Sequence, residues 1–172
     1  MDNKTTLRRN AKDIRKTLDI VNISTKIREN LAAHSFYKNS KNIMIFYPTK
    51  YEVNLLDLVE NSGKNFFLPR VNGLELEVCD FSNGAELKKS EFNIFEPTSN
   101  SVSPSVLDLV IVPALMADKR GYRLGYGGGF YDRFLAKYGK SFQSIVVIPE
   151  CLFVEELPID NYDQKVDDVV LG

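Results

Sequence analysis

The sequence predicts an α/β protein built on a mainly parallel sheet. Segments with helical periodicity alternate with short extended segments along the 172 residues. Two of the extended segments, "VLDLVIVP" and "QSIVVIP", are near-continuous aliphatic runs. Strands of this kind are typical of a parallel sheet that is covered by helices on both faces. The length is that of one domain, so residues 1–172 are predicted to form a single α/β domain.

Four segments are predicted to be helical. In the first, apolar residues recur at helical spacing; they are Leu7, Ala11, Ile14 and Leu18. Ser24 is a candidate cap for a second helix that carries Ile27 and Leu31. The third helix is predicted in "NLLDLVENSGK", where Gly63 stops it, and the fourth in "FYDRFLAKY".

Strands are predicted in six segments, which are "NIMIFYP", "NFFLPR", "LELEVCDF", "VLDLVIVP", "QSIVVIP" and "KVDDVVL". "LELEVCDF" begins with strict alternation and follows the turn residues "VNG", so it is predicted to add an antiparallel strand at the edge. The stretch from Asn83 to Ser105 is predicted to be rich in loops, because serine and proline cluster in "PTSNSVSPS".

Composition and charge exclude several classes of protein. The formal net charge of −1 disfavours a general nucleic-acid binder. The sequence offers neither a secretion signal nor a membrane span, so a cytoplasmic protein without membrane or nucleic-acid partners is predicted. Cys79 and Cys151 lack metal-site spacing and are predicted to be two buried, reduced thiols. His34 is predicted to be a surface or capping residue without chemistry.

The stretch "RLGYGGGFYDRF", residues 123–134, concentrates glycine where a predicted strand passes into a predicted helix. Five of the chain's ten glycines fall between Gly121 and Gly129. Open α/β sheets bind ligands at such crevices, and glycine lets amides approach and surround an anion. Arg123 adds a planar charge that suits phosphate, and Asp132 is a candidate Mg²⁺ ligand. The combination predicts a site for a nucleoside triphosphate.

Three other interpretations of residues 123–141 are less well supported. A flexible surface loop would need no ligand, with Asp132 only complementing the helix dipole, but its glycines would each cost roughly 0.5–1 kcal/mol relative to alanine. "GYGGGF" fails as a dinucleotide-binding GxGxxG motif, because Phe130 replaces the last glycine. "YGKS", residues 138–141, ends a helix instead of opening one, so it does not match a phosphate-binding P-loop.

The segment "VPALMADKRGYRLGYGGGFYDRFLAKY" closely resembles the central motif of the 5-formyltetrahydrofolate cyclo-ligase family, also called methenyltetrahydrofolate synthetases. The resemblance runs along the whole chain, in the family's order and spacing, through "KTTLRRNAKDIR", "IMIFYPTKYEVNL", "FFLPR", "FNIFEP" and "LPIDNYDQKVDDVVL". It implies a three-layer α/β/α fold similar to those of sugar-phosphate isomerases and coenzyme A transferases.

The same resemblance implies an activity, its cofactor and its partners. The implied reaction is ATP-dependent closure of 5-formyltetrahydrofolate to 5,10-methenyltetrahydrofolate, with release of ADP and phosphate. In that reaction ATP is a co-substrate and Mg²⁺ the metal cofactor. The implied partners are two small molecules, reduced folate and ATP, and the protein is expected to be a monomer.

Roles for particular residues also follow from the resemblance. Arg123 is the implied catalytic residue, which stabilises charge on the transferring phosphoryl group. The implied ATP-binding residues are Lys4, Thr5, Thr6, Leu7, Arg8, Arg123, Leu124, Gly125, Tyr126, Gly127, Gly128, Gly129, Phe130 and Tyr131. The implied folate-binding residues are Tyr47, Glu52, Tyr126, Gly127, Gly128, Gly129 and Phe130. Asp132 and Asp163 are the implied Mg²⁺ ligands.

Several of these residues have simpler explanations when they are taken alone. Lys4 and Arg8 also fit the solvated basic face of a helix. Asp163 fits an ordinary loop carboxylate, Glu52 a surface acid and Tyr47 an aromatic side chain at the edge of the core.

Two other functions fit the same scaffold. An enzyme acting on a phosphosugar or a coenzyme A ester would need no ATP, and Arg123, Asp132 and Asp163 would have no metal role. A non-catalytic nucleotide- or folate-binding module would store or sense its ligand. Turnover that requires magnesium, ATP and formylfolate together distinguishes the cyclo-ligase from both.

The chain departs from the family pattern at three places. It lacks a glutamine that many members carry near Cys151, and Met116 replaces a common phenylalanine. Gly128 stands where some members have lysine, so phosphate contact there would fall to backbone amides alone.

Overall fold

The structure is a computed structural model that describes residues 3–60, 62–81 and 85–172. Its largest sheet has seven strands in the order β12-β10-β7-β1-β2-β3-β6. These strands are Asn42–Met44 (β1), Asn65–Asn72 (β2), Glu75–Asp80 (β3), Ser101–Val102 (β6), Leu109–Val112 (β7), Gln143–Ile148 (β10) and Asp168–Leu171 (β12). Pairs from β12 to β2 are parallel, and β3 and β6 continue the sheet antiparallel. The predicted α/β class and the six strand segments are therefore confirmed. β3 is antiparallel as predicted, but it is not the edge strand, because β6 pairs with its outer side.

Two small sheets accompany the large one. β4 (Leu87–Lys89) and β5 (Phe95–Pro97) form a hairpin, and β8 (Met116–Asp118) pairs with both β9 (Arg123–Leu124) and β11 (Phe153–Val154). The hairpin lies in the stretch that we predicted to be rich in loops, and residues 83 and 84 of that stretch fall outside the described residues. Its three-residue strands are too short to give a readable alternation of polar and apolar side chains.

Four α-helices are described, namely α1 (Lys4–Lys16), α2 (Ile20–Ala33), α3 (Ser35–Asn39) and α4 (Phe130–Tyr138). The prediction for α4 is confirmed at both ends. The cap predicted for α2 is wrong, because the helix begins five residues earlier with Asp19 as its cap. Ser24 lies inside the helix, where its hydroxyl donates to the carbonyl of Ile20 at 2.6 Å, a bond that helical serines commonly make. His34 caps α3, as predicted, by accepting a hydrogen bond from the amide of Phe36.

Two clusters of buried side chains pack on opposite faces of the main sheet. Along β7, Val110 and Val112 belong to one cluster while Leu109 and Ile111 belong to the other, as the alternation of side chains along a strand requires. The first cluster includes side chains of α1 and α4, and the second includes side chains of α2 and α3. Cys79 is buried as predicted, whereas Cys151 is exposed, since it falls in a one-turn 3₁₀ helix beyond β10.

Two helical predictions are wrong in part. "NLLDLVENSGK" forms only a 3₁₀ turn at Leu56–Leu58, because a short segment ending in polar residues and Gly63 cannot meet the cost of helix nucleation. In α1, Ile14 is 40% exposed while Arg15 is buried. The hydrogen bonds that Arg15 donates to backbone carbonyl groups favour its burial over that of the apolar side chain.

Within the described part of the chain, no helix is long and apolar enough to cross a membrane.

Candidate active site

A buried arginine holds together the segments that follow β1 and β7. Arg15 donates hydrogen bonds to the carbonyl oxygens of Ala114 at 2.6 Å and Tyr51 at 3.2 Å. Burial lowers the pKa of Arg15, and the negative charge of Glu52 acts in the opposite direction. Parallel sheets bind ligands at the carboxyl ends of their strands, so Arg15 fixes the floor of the candidate site. Sequence analysis did not single out this residue.

The glycine loop, residues 125–129, has the backbone of an anion-binding nest. Gly127 and Gly129 have φ values of +107° and +69°, whereas Gly128 between them has no positive φ. Such alternation turns successive amides toward one point. α4 begins immediately after the loop, and no side chain caps it at Gly129. The loop and the helix N-terminus therefore present amide donors to an anion.

Arg8 of α1 lies against the glycine loop. Its Nε donates to the carbonyl oxygen of Gly125 at 2.9 Å. A Cβ at Gly127 would lie 3.6 Å from the Arg8 guanidinium carbon. The structure thus brings a predicted ATP-binding cation onto the predicted phosphate loop, across 117 residues of sequence.

Arg123 and Asp132 form a pair beside the loop. Nη2 of Arg123 donates to Oδ1 of Asp132 at 3.1 Å, and Nη1 donates to the carbonyl oxygen of Gln164 at 2.9 Å. Oδ1 of Asp132 also accepts the amide of Gln164 at 3.0 Å. Nε of Arg123 is buried and has no hydrogen-bond partner within the described residues. The side chain is therefore held in place with one donor uncommitted.

Lys4 ties the start of α1 to the loop that contains Asp163. Its ammonium contacts Oδ2 of Asp163 at 2.5 Å and Oδ2 of Asp160 at 2.7 Å. Burial acts against the charge of Lys4, but both aspartates outweigh it and raise the pKa of the lysine. The segment that contains Asp163 also contacts Asp132, because the amide of the next residue, Gln164, donates a hydrogen bond to Asp132.

The two aspartates suit a magnesium ion that arrives with a nucleotide. Within the described residues, no group of three His, Cys, Asp or Glu side chains is arranged to hold a metal. Mg²⁺ is usually held by one or two carboxylates together with substrate phosphates and water. Oδ2 of Asp132 and Oδ1 of Asp163 make no hydrogen bond within the described residues, which leaves each carboxylate one oxygen for this purpose. The donor set fits Mg²⁺ bound together with phosphate.

A second part of the site centres on Glu52, which is buried. Its Oε2 accepts the amide of Thr49 at 2.7 Å. Burial and the charge of Glu52, together with a hydrogen bond to it, raise the pKa of Tyr126. Burial and Glu52 also raise the pKa of Tyr131, whose hydroxyl is buried without a partner in the described part of the chain. Both phenols therefore stay protonated and can donate at neutral pH.

The β4–β5 hairpin connects two aromatic residues that were predicted to contact folate. Phe95 packs against Tyr47 with ring centroids 5.1 Å apart, and Phe92 packs edge-on against Phe130 at 5.8 Å. A cleft of about 450 Å³ opens beside Phe92, lined by Arg70, Val71, residues 88–92 and residues 96–98. The sequence analysis missed the hairpin aromatics, although "FNIFEP" was among the matching segments.

Not every predicted residue points into this region. The amide of Thr6 donates a hydrogen bond to the side chain of Asn3, which caps α1, and Leu124 is buried in β9. Thr5 is exposed and Leu7 is half-buried. A Cβ at Gly128 would lie 2.7 Å from the ring of Phe130, so the Phe130 ring occupies the space beside Gly128.

Gly121 anchors the segment that leads into Arg123. Its φ is +86°, and a Cβ there would lie 2.8 Å from the carbonyl oxygen of Val166. The amide of Val166 in turn donates to Gly121 at 2.9 Å, so the two backbones cannot separate freely.

We expect Gly121→Ala to lower the free energy of unfolding by about 1–2 kcal/mol for the left-handed backbone and a further ~1–3 kcal/mol for the clash. The urea-unfolding midpoint measures this loss. Gly73→Ala is the matched control, because Gly73 has φ +62° but open space around it. Equal losses in the two variants would show that the contact with Val166 is harmless.

Comparison with known proteins shows the family to which the chain belongs. The sequence matches the 5-formyltetrahydrofolate cyclo-ligase family over residues 1–172. The chain belongs to this family.

Relatives within the cyclo-ligase family span most of the chain. The 5-formyltetrahydrofolate cyclo-ligase of Haemophilus influenzae is 32% identical over 145 residues, which cover 78% of each chain. The mouse enzyme of the same name is 30% identical over 164 residues, 86% of this chain and 81% of the mouse protein. The solution structure of Aquifex aeolicus 5,10-methenyltetrahydrofolate synthetase superimposes with a TM-score of 0.84 at 31% identity, covering 98% of this chain and 89% of that one.

Proposed function

We propose that this member of the cyclo-ligase family closes 5-formyltetrahydrofolate to 5,10-methenyltetrahydrofolate at the site described above, consuming ATP and releasing ADP and phosphate. One observation carries the proposal of a site: α1, the glycine loop and the segment after β1 meet at Gly125 and Tyr126. Arg8 of α1 donates to the carbonyl oxygen of Gly125, and Tyr126 is hydrogen bonded to the buried carboxylate of Glu52.

The chemistry explains why cations are needed where the phosphoryl group is transferred. The formamide oxygen of the substrate attacks the γ-phosphorus, and the bond from that phosphorus to the ADP oxygen breaks. The product is an iminium-like carbon that carries phosphate as its leaving group. N10 of the same molecule attacks this carbon and loses its proton, and phosphate departs with the electron pair of the C–O bond. Protein catalysis of phosphoryl transfer consists mainly of positioning and charge stabilisation.

We assign the transferring phosphate to the glycine loop and Arg123. The loop amides and the start of α4 are donors for phosphate oxygens, and the unpaired Nε of Arg123 is an additional donor nearby. Lys4 and Arg8 lie on the same face of α1, four residues apart, and both reach this region. These contacts support the assignment of Lys4, Arg8, Arg123 and residues 125–129 to the ATP site, with Arg123 as the catalytic residue.

We assign the metal role to Asp132 and Asp163. Mg²⁺ bound there would neutralise charge on the phosphates during transfer. The carboxylates would hold it, while Lys4 and Arg123 keep them in position and balance their charge. Free Asp132 and Asp163 oxygens on neighbouring segments support this assignment.

We assign the pterin end of the folate to Glu52. A buried carboxylate beside a strand end is suited to accept hydrogen bonds from the amino and ring N–H groups of the pterin. Tyr47 offers a ring face at the same edge, and residues 126–130 of the glycine loop and the start of α4 line the side of the folate that faces the phosphates. The formyl group would then lie between Glu52 and the loop.

Glu52→Gln should raise KM for formylfolate by roughly 10- to 100-fold, because hydrogen bonds to a charged group contribute about 1.5–3 kcal/mol. KM for ATP should change little. Steady-state kinetics with each substrate varied in turn measure both values. Glu29→Gln, an exposed carboxylate of α2, is the control. An equal rise in both KM values would show that Glu52 maintains the structure of the site and does not bind the pterin specifically.

The direct test is the absorbance of the methenyl product. Purified protein is mixed with 5-formyltetrahydrofolate, ATP and Mg²⁺, and each component is then omitted in turn. Product only with all three present is the expected result. No product, with folded protein that still binds ATP, would overturn the proposal and favour a phosphosugar or coenzyme A ester enzyme or a sensing module.

Finer structural features belong to the same proposal. We infer a three-layer α/β/α arrangement similar to sugar-phosphate isomerases and coenzyme A transferases, since helices contribute to the core on both faces of the sheet. We also propose one domain over residues 1–172, a monomer, and a cytoplasmic enzyme whose partners are its small-molecule substrates.

A further inference from the structure

We propose that Arg133, in the first turn of α4, is a positioning residue that orients the amides of the glycine loop toward the phosphates. Its Nη2 donates to the carbonyl oxygen of Gly128 at 3.0 Å, and its Nε donates to the carbonyl oxygen of Leu74 at 2.8 Å. The guanidinium therefore ties the loop to the turn between β2 and β3. The role rests on the proposed function, because the loop is there assigned to the phosphates of ATP.

The amides of the glycine loop need a fixed direction if they are to bind phosphate. Those of residues 126–129 donate to no backbone carbonyl within the part of the chain that the structure describes. Gly127 and Gly129 have positive φ values, and glycine passes easily between left- and right-handed conformations. A peptide plane that rotated would turn a carbonyl oxygen, with its partial negative charge, toward the phosphate. The loop therefore depends on contacts that hold its peptide planes.

A contact to a carbonyl oxygen also sets the direction of the next amide. In a planar trans peptide, the C=O of one residue and the N–H of the next point in opposite directions. The described residues contain no cis peptide bond. Because Arg133 holds the carbonyl of Gly128, the N–H of Gly129 points away from the Arg133 guanidinium. Arg133 thus controls an amide donor of the loop without contacting the ligand.

Arg8 makes the matching contact at the other end of the loop. Its Nε donates to the carbonyl oxygen of Gly125, which by the same geometry sets the direction of the N–H of Tyr126. Two arginines, one from α1 and one from α4, therefore hold the loop at both ends. Sequence analysis singled out Arg8 as an ATP-binding residue but gave Arg133 no role.

The guanidinium of Arg133 is itself held by packing. Its central carbon lies 5.0 Å from the centre of the Phe130 ring. A Cβ at Gly129 would lie 2.7 Å from Nη1, so the guanidinium lies directly against the loop. Charge alone is the competing explanation, because a cation beside the loop attracts phosphate even if it orients nothing. The experiment must separate orientation from charge.

The experiment compares Arg133→Gln with Lys137→Gln. Lys137 lies one turn further along α4, is exposed and pairs with Glu75 of the β2–β3 hairpin at 3.5 Å. Its loss removes a tie between the same helix and the same hairpin without a change at the loop. Both variants lose one positive charge and keep a good helix former, so the fold should persist. Arg133→Lys keeps the charge but replaces the planar fork of donors with one nitrogen.

Two kinds of measurement are made on each protein. Steady-state kinetics give kcat and the KM values for ATP and formylfolate. Selective ¹⁵N labelling of the ten glycines gives a simple amide NMR spectrum, which is titrated with inorganic triphosphate. Triphosphate probes the loop without turnover, and the signals of Gly63 and Gly73, which lie outside the loop, are internal references.

We expect Arg133→Gln to lower kcat by about tenfold and to raise KM for ATP by roughly three- to tenfold, the range for one hydrogen bond to a charged group. KM for formylfolate should change less. In the wild-type protein, triphosphate should shift the Gly129 signal, and in Arg133→Gln this shift should be much smaller. Lys137→Gln should match wild type throughout, and Arg133→Lys should lie between wild type and Arg133→Gln.

Three results would overturn the role of Arg133. Wild-type kinetics and an unchanged Gly129 shift in Arg133→Gln would show that the loop does not depend on it. Equal losses in Lys137→Gln would reduce Arg133 to a structural tie, and wild-type behaviour of Arg133→Lys would leave charge alone. Failure of the proposed function is a different outcome, namely no product from wild-type protein. The spectra still decide in that case, and wild-type loop signals that ignore triphosphate would overturn the phosphate assignment and the role of Arg133 together.

Discussion

Arg123→Ala is expected to lower kcat by about 10²- to 10³-fold, the usual effect of removing one preorganised donor that stabilises transition-state charge. The Kd for ATP should change much less, because the loop amides, Lys4 and Arg8 remain. Arg123 is only 9% exposed and is held by Gln164 and Asp132, so its guanidinium is oriented before substrate binds. Steady-state and single-turnover kinetics, together with ATP binding by calorimetry, measure the two effects separately.

Two further variants distinguish loss of catalysis from loss of folding. Arg123→Lys keeps the charge but loses the planar group of donors, and we expect a turnover between those of the alanine variant and wild type. Arg9→Ala removes an exposed arginine of α1 and should behave as wild type. If Arg123→Ala only weakened ATP binding and left kcat unchanged, Arg123 would be a binding residue and not a catalytic one.

The parts of the fold that follow local rules could be predicted from the sequence. β7, β10 and α4 were predicted because aliphatic runs and a glycine-to-helix boundary have strong local patterns. Arg15 could not be predicted as buried, because its hydrogen-bond partner Ala114 lies 99 residues away. The cap of α2 was misplaced because both Asp19 and Ser24 are good cap residues, and packing selects between them.

The candidate site also has a part that could be predicted from local sequence and a part that could not. The glycine loop, Arg123 and Asp132 lie within one stretch, and their pattern predicted a phosphate site before any fold was known. The contacts of Lys4 with Asp163 and of Arg8 with Gly125 depend on where α1 packs, which the spacing of residues does not encode. The buried hydroxyl of Tyr131 and the Phe92–Phe130 contact also follow from tertiary packing alone.

Asp132→Asn is expected to remove most magnesium-dependent turnover while leaving the chain folded. Asparagine retains an oxygen that can accept the hydrogen bonds from Arg123 and the amide of Gln164, so the local structure should persist. It lacks the negative charge that a hard cation requires. Since a bound metal contributes several kcal/mol of charge stabilisation in the transition state, we expect kcat to fall by about 100-fold at limiting Mg²⁺, with partial recovery as Mg²⁺ is raised.

The dependence of turnover on Mg²⁺ concentration is the deciding measurement, with circular dichroism to confirm folding. Asp57→Asn is the control, because Asp57 is exposed and pairs with Arg28 at 3.0 Å, away from the glycine loop; its magnesium dependence should equal that of wild type. An Asp132→Asn protein with an unchanged magnesium profile would assign the aspartate to positioning Arg123 alone. The metal would then have to be held by Asp163 and the substrate phosphates, and Asp163→Asn would become the variant with the larger effect.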